Sequence, residues 1–517
     1  MPPFTLNLTP ITSRMSLERR DFLKLLGSAG VATVLPGCTP KKPQSLIPYV
    51  IPHEEIVPGK SVWYAGVCRE CPAGCGIHVR VRDGRAVKVE GNPLHPVNRG
   101  SLCARGQASL QGLYNPDRIQ HPLRKRLDGS WEQLTWEEAE EWLAERLAGI
   151  RREGRGSGVT WMGSHTTGSL DALIDEFLAS LGSRRRLRYE PIAFESLKQA
   201  NQISFGRPEI PSYDFASAKF ILSFGADFLE TWLSPVGYAK EYAAVREFDG
   251  TSIVKTVYVG PRLSMTATNT DEWIAPRPGT EHLLALGLVH TIITQNLHRI
   301  SPSEAGEILR VIGGFSPNTV ADATEIPAER LNALARDFAS ARPPLAVGGG
   351  TVLERENGVE TLIAVNLLNY VCGAVGQTVR FDRPQAISSL NSYAEVTRFV
   401  QSALHGDIPA LFFSDVNPVY ATPPAANFAQ AMEKIPLTVA LSGFMDETTA
   451  TASLVLPILT PLESWGDYEP VPGVRGVMQP AMQPVFRNAR MLGDELIGLK
   501  DRISGRVTLS DSEQPLH

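Results

Sequence analysis

The chain has 517 residues, 43% of them hydrophobic and 20% charged, with a formal net charge of −5. That length exceeds what one hydrophobic core can fill, so two to four domains of ordinary globular composition are expected. No Lys/Arg run interleaves with aromatics, which argues against nucleic acid as a partner, and no uninterrupted apolar run of 18 residues predicts a transmembrane helix. The most apolar stretches, 283–295 and 362–375, carry His290 or Asn366 and Asn369 and read as buried helices.

Residues 16–24 read SLERRDFLK, and an apolar, small-residue stretch follows from 25 to 35. Paired Arg19 and Arg20 before a weakly apolar core resemble a twin-arginine signal, which exports folded proteins. Residues 35–38, LPGC, look like a lipoprotein box with Cys38 as the acylated residue. The alternative is a spare cysteine. Met15 stands just before this pattern and is a second candidate start. The expectation is a signal at 1–37, an extended linker at 38–60, and a mature protein in the periplasm or on the outer face of the cytoplasmic membrane.

Four of the six cysteines crowd into Cys68-x2-Cys71-x3-Cys75-x27-Cys103. A disulfide framework in a chain this long would spread its cysteines, so the cluster points to an inorganic ligand. Between the third and fourth cysteines, alternating apolar residues are broken by Asp83-Gly84, a two-residue hairpin turn that carries Cys103 back to the others. Four thiolates can hold zinc or a cubane. Zinc ribbons usually present two Cys-x2-Cys knuckles, whereas three cysteines on one loop and a remote fourth are closer to 4Fe–4S ligation.

Further along, Thr135-Trp136-Glu137-Glu138 is a capping box opening a helix with Ala139, Trp142, Leu143, Leu147 and Ile150 on one face. A strand at 158–162 and a helix at 170–181 come next. Later strands are expected at 219–224, 252–259, 345–347, 410–414, 437–441 and 453–457, most of them separated by helical patterns. Such alternation predicts an α/β fold of open, mostly parallel sheets, with ligands beyond the carboxyl ends of the strands. Three glycine turns stand there: Gly225-Ala226-Asp227, Gly260-Pro261-Arg262 with Arg277-Pro278-Gly279-Thr280 downstream, and Gly348-Gly349-Gly350. Each alone reads more readily as a tight structural turn.

Taken together these motifs resemble the molybdopterin oxidoreductase superfamily. The cysteine spacing followed by Ala104-Arg105-Gly106 and LYNPDRIQHPLRK is similar to its N-terminal cluster domain, which implies a 4Fe–4S cluster on Cys68, Cys71, Cys75 and Cys103. The resemblance sets Arg105 between cluster and pterin. The segment VYVGPRLSMTATNTDEWIAPRPGTEHLLALGLVH resembles the stretch that holds a molybdopterin guanine dinucleotide, implying cofactor contacts from Gly225, Asp227, Gly260, Arg262, Arg277, Gly279 and Thr280. FFSDVNPVYATPP, with Asn417, resembles the second nucleotide-fold segment. DETTATASLVLPILTPLESWGD, with Glu447, Thr448, Glu463 and Gly466, resembles the stretch just beyond that segment. The likeness runs from about residue 60 to 499. It implies an iron–sulfur domain at 61–130, two nucleotide-binding-like αβα units within 131–499 and a tail at 500–517.

Two departures accompany it. The position of the family's metal-anchoring side chain falls near Ala193 or Phe194, neither of which can coordinate molybdenum. The family's C-terminal barrel domain is expected to be missing here, either because the remainder is a separate polypeptide, or because the chain is truncated, or because the pterin pocket is incomplete. Both features, with the linker and tail sequences, resemble the molybdopterin-oxidoreductase-like subunit of alternative complex III. That branch implies a ferredoxin-like iron–sulfur subunit and a membrane quinol-interacting subunit as partners, although its members often lack the cluster cysteines kept here. Two readings stand. One is an electron-transferring subunit of a respiratory, quinol-linked complex. The other is a catalytic molybdenum oxidoreductase acting on a small oxyanion or sulfur substrate. A nicotinamide dehydrogenase is disfavoured, since no GxGxxG follows the first strands.

Overall fold

The computed structural model of the protein describes residue 57, residues 59–248 and residues 253–503. Arg19, Arg20, Cys38 and most of the linker lie outside the described residues. The first element is a three-stranded antiparallel sheet of Ser61–Val67, Gly76–Arg82 and Arg85–Gly91. Its second connection is the expected two-residue turn, with Asp83 at φ 51° and Gly84 at φ 75°. Both signs match the type I′ geometry that suits the right-handed strand twist. Ile77, Val79, Val81, Ala86 and Val89 face a small core shared with Leu113 of the helix Ala104–Leu113.

Two larger sheets come after it. The seven-stranded sheet runs Trp131–Gln133, Leu123–Lys125, Leu454–Leu456, Leu437–Leu441, Ala410–Ser414, Thr160–Gly163, Arg185–Arg188. Its last five strands are parallel, and the first two form an antiparallel hairpin on its edge. The four-stranded sheet, Glu272–Ile274, Lys255–Val259, Phe220–Phe224, Pro344–Gly348, is parallel throughout.

Strand alternation divides each sheet between two cores. In the larger sheet Trp161, Phe412 and Val439 face the helices Trp136–Arg152, Gly168–Ser180 and Leu492–Ile503, while Met162, Leu411, Phe413 and Ala440 face Tyr393–Leu404 and Phe428–Lys434. In the smaller sheet Phe220, Leu222 and Phe224 face Glu281–Thr294, Ala328–Ser340 and Gly358–Val371. Ile221 turns to the opposite core, with Leu197, Tyr238 and Tyr242 of the helices Glu195–Phe205 and Pro235–Val245. The two apolar stretches marked as buried helices are thus core helices, and among the described residues no helix is long and apolar enough to cross a membrane.

Several expected boundaries move. The strand placed at 158–162 is Thr160–Gly163, because Gly156–Gly158 forms a single tight helical turn wedged against Pro409 and the Asp407 carbonyl. The segment read as a ligand loop becomes helical at Glu195 and stays so to Phe205. The tail expected from 500 starts inside the helix Leu492–Ile503.

Candidate functional site

Val67 ends the first strand and hands the chain to a tight loop carrying Cys68, Cys71 and Cys75. The Cys68 amide donates to the Cys75 carbonyl at 2.8 Å, closing that loop. Cys103 is the residue before the helix Ala104–Leu113, in extended backbone with no side-chain cap, so its thiol is free for another role. Gly106, one turn on, lies against Cys68: a Cβ there would stand 3.3 Å from the sulfur. The four thiols feel one another. Cys68 and Cys75 are each pushed up to about 12, first by burial and then by the neighbouring cysteines. Cys71 is also raised by burial, an effect eased by the Ala73 amide and by the charge of Arg105. Arg105 is exposed on the first turn of the helix, and its charge reaches both Cys71 and Glu70. The structure therefore brings Cys68, Cys71, Cys75, Cys103 and Arg105 together.

One wall of this loop opens on a cavity of about 490 Å³ at the carboxyl ends of the parallel strands in the seven-stranded sheet. Arg69, between two of the cysteines, donates from Nη2 to the His165 carbonyl at 2.6 Å and stacks 3.8 Å from the Tyr468 ring centroid. Its Nη1 is buried with no protein acceptor. His165 follows the strand Thr160–Gly163, Glu190 follows Arg185–Arg188, and Asp415 follows Ala410–Ser414. Glu190 accepts from the His165 amide at 3.2 Å, and burial raises its carboxyl above the usual range. Asp415 is deep in the fold yet has open surface on the cavity. Burial raises its carboxyl, and Arg69 acts against that rise. Phe444 and Trp465 add apolar wall. Arg69, His165, Glu190, Asp415 and Tyr468 were not singled out from sequence. The available signal was positional, since three of them stand within two residues of the carboxyl ends of parallel strands.

The residues expected to contact a dinucleotide lie elsewhere, and none of them lines this cavity. Gly225, Asp227, Gly260 and Arg262 meet at the carboxyl end of the four-stranded sheet. There the Asp227 carboxylate accepts from Tyr258 at 2.9 Å, Ser264 at 2.5 Å and Arg262 at 2.6 Å. The Arg262 side chain is 55% exposed. Arg277, Gly279 and Thr280 precede the helix Glu281–Thr294 at the edge of the same sheet: Arg277 pairs with Glu325 at 2.6 Å, and the Thr280 hydroxyl donates to the Arg277 carbonyl. Asn417 sits at the end of Ala410–Ser414, donating to Glu447 at 2.6 Å and accepting from Thr448 at 2.7 Å. Ala193 and Phe194 also lie off the cavity. Phe194, at φ 51°, precedes its helix and packs towards the core around Leu197. From that loop it is Glu190 that reaches the cavity.

The family model described as molybdopterin oxidoreductase matches residues 118–490, and the one described as the molybdopterin oxidoreductase Fe4S4 domain matches residues 61–115. The chain is 30% identical to the menaquinone reductase molybdopterin-binding-like subunit of Nitratidesulfovibrio vulgaris, over 97% of this chain and 74% of that one. It is 26% identical to the molybdopterin-containing subunit of the arsenate respiratory reductase of a Shewanella species, over 70% of this chain and 46% of that one. It is 23% identical to the thiosulfate reductase molybdopterin-containing subunit of Salmonella typhimurium, over 87% and 64%. Among solved structures, acetylene hydratase from Pelobacter acetylenicus superposes with a TM-score of 0.68 over 86% of this chain and 69% of that one, at 18% identity, a likeness of fold. With a family model covering most of its length, the chain belongs to the molybdopterin oxidoreductase family, an oxidoreductase whose cofactors are a Fe4S4 cluster and a molybdopterin.

Proposed function

We propose that the chain is an exported electron-transferring subunit of a respiratory, quinol-linked complex, with its 4Fe–4S cluster on Cys68, Cys71, Cys75 and Cys103. The observation that carries the reading is the convergence of those four buried or half-buried thiols, with Arg105 beside them and Cys68 and Cys71 lining the cavity. The donor set fits a cubane. Three cysteines on one loop and a remote fourth are closer to cubane ligation than to the paired Cys-x2-Cys knuckles of zinc ribbons. The cavity is within the range that small-molecule and cofactor sites occupy, and the unpartnered Nη1 of Arg69 and the carboxylates of Glu190 and Asp415 supply one donor and two acceptors for a pterin ring. A molybdopterin bound there would supply, through the molybdenum it carries, two-electron redox chemistry, with this chain's residues positioning it and setting its electrostatics.

The respiratory setting draws support from the likeness to a menaquinone reductase subunit along nearly the whole chain. Partners of the expected kinds accompany that setting, a ferredoxin-like iron–sulfur subunit and a membrane subunit that meets the quinol. Export rests on Arg19 and Arg20, and a lipid anchor on Cys38. A second reading, catalysis on a small oxyanion or sulfur substrate, is favoured by one observation: the free Arg69 Nη1 is a ready anion donor in the cavity. Metal analysis of anaerobically purified protein separates these. Iron near four per chain, with an EPR signal on reduction, is expected, and stoichiometric zinc would refute the cluster assignment. One molybdenum per chain with turnover of an oxyanion by this chain without partners would favour the second reading.

A further inference from the structure

His165 is 1% exposed, and both its ring nitrogens meet oxygen. Nδ1 is 2.9 Å from the Tyr468 hydroxyl and Nε2 is 2.9 Å from the Ala386 carbonyl. The same hydroxyl is 2.8 Å from the carbonyl of Pro72, the residue after Cys71. The series has three contacts and ends on a carbonyl acceptor at each side. A neutral imidazole brings one N–H and the phenol one O–H, which makes two hydrogens for three contacts. In either tautomer one contact sets a lone pair against a lone pair. A third hydrogen, on the imidazole, fills all three, because both ring nitrogens then donate and Tyr468 donates onward to Pro72.

We infer that His165 takes up a proton when the neighbouring iron–sulfur cluster is reduced, so that electron and proton are stored together at this wall of the cavity. The inference rests on the assignment of the cluster to Cys68, Cys71, Cys75 and Cys103. In the balanced step, the oxidised cluster gains one electron from a quinol, which leaves as its semiquinone and releases its own proton to water, or, in vitro, from dithionite. One proton from water forms one N–H bond on His165, and no other covalent bond in the protein changes.

The charges around the ring set the direction. Arg69 from the cluster loop and Arg188 from the last strand of the sheet oppose a second proton, while Asp171 from the helix Gly168–Ser180 favours it. Glu190, at the His165 amide, and Asp415, which also lines the cavity, are further carboxylates near the ring. Burial is the largest influence and lowers the imidazole to about 4, which favours the neutral ring at neutral pH. Negative charge added to the cluster offsets Arg69, whose guanidinium bridges the cluster loop and the His165 carbonyl. The unfilled third contact makes the proton's destination specific.

The test is a potentiometric titration of the anaerobic, iron-loaded full chain, followed by EPR of the reduced cluster from pH 5 to 8. The midpoint should fall with rising pH on the acid side, by at most about 59 mV per pH unit, the one-electron equivalent of a tenfold change. His165→Gln, which cannot titrate, should keep its iron and lose the slope. A wild-type midpoint flat from pH 5 to 8, or a wild-type slope in His165→Gln, overturns the inference. If His165→Gln fails to assemble, Tyr468→Phe decides. It keeps the imidazole but removes the hydroxyl, so its slope should shrink, and an unchanged slope refutes the inference. Zinc in place of iron would instead mark failure of the cluster assignment.

Discussion

Replacing Arg118 with methionine should loosen the junction between the cluster domain and the last third of the chain. The Arg118 and Glu463 side chains are 1% and 0% exposed and pair through both guanidinium nitrogens, at 3.2 and 2.8 Å. Arg118 also donates to the Leu113 carbonyl at 2.9 Å, at the end of the helix Ala104–Leu113. Removing one partner of such a pair costs about 3–5 kcal/mol, mostly from the charge left behind. Glu463 would keep the Thr460 amide, the Thr460 hydroxyl and the Val485 amide at 2.8–3.0 Å, so the lower end, about 3 kcal/mol, is expected. Replacing both residues by methionine should recover much of the loss, since no charge is then buried alone. Urea unfolding of the two single variants and the double variant gives the coupling energy. Hydrogen exchange in Ala104–Leu113 shows whether the loosening is local. A loss below about 1 kcal/mol for Arg118→Met, or strict additivity of the pair, would refute the reasoning.

Glu495 is 1% exposed, and burial, with Glu140 second, raises its carboxyl above the usual range. The folded state thus holds that proton more tightly than the unfolded chain. Its contribution to stability is full below the ordinary Glu pKa of about 4.3 and is lost as pH rises through the raised folded value. Glu495→Gln should flatten that decline in thermal melts run between pH 4 and 8, and an unchanged pH profile would count against it. Thr135→Ala removes the side-chain half of the capping box on Trp136–Arg152 and should cost about 1 kcal/mol in urea unfolding, with a cost below a few tenths counting against the cap. Changing Arg19 and Arg20 together to Lys should leave the protein in the cytoplasm on cell fractionation, and continued export would mean the signal is misread.

Where a local rule governs the backbone, the sequence is readable. Ala410–Ser414 and Leu437–Leu441 are short apolar runs between turn signals, and both strands fall where those runs predict. Asp83-Gly84 announces its turn, and Thr135 with Glu138 announces its helix. The thiols were visible because three of them share one loop. The cavity was not, because Arg69, His165, Glu190, Asp415 and Tyr468 are solitary polar residues from five separate segments, with no periodicity to mark them. Asp227 illustrates the remaining limit. Its place after a strand was legible, but its engagement by Tyr258, Ser264 and Arg262 depends on side chains over 30 residues away.

The hairpin Gly466–Val471 and Val474–Met478 carries a consequence for synthesis. Tyr468 bonds to Pro72 across 396 residues, Met482 meets the Ala86 amide across 396, and Gln479 reaches Ala65 across 414. At translation rates of about 5–20 residues per second, the cysteine loop leaves the ribosome roughly 20–80 seconds before the segment that covers it. During that interval the three-stranded sheet lacks its cover, and the thiols stand open to iron donors and oxidants alike. Cluster insertion has a natural window that closes once the segment 466–482 has emerged and folded over the sheet. A ribosome stalled before residue 466 should therefore present cysteines that alkylate readily, and the chain released from the ribosome and folded should not.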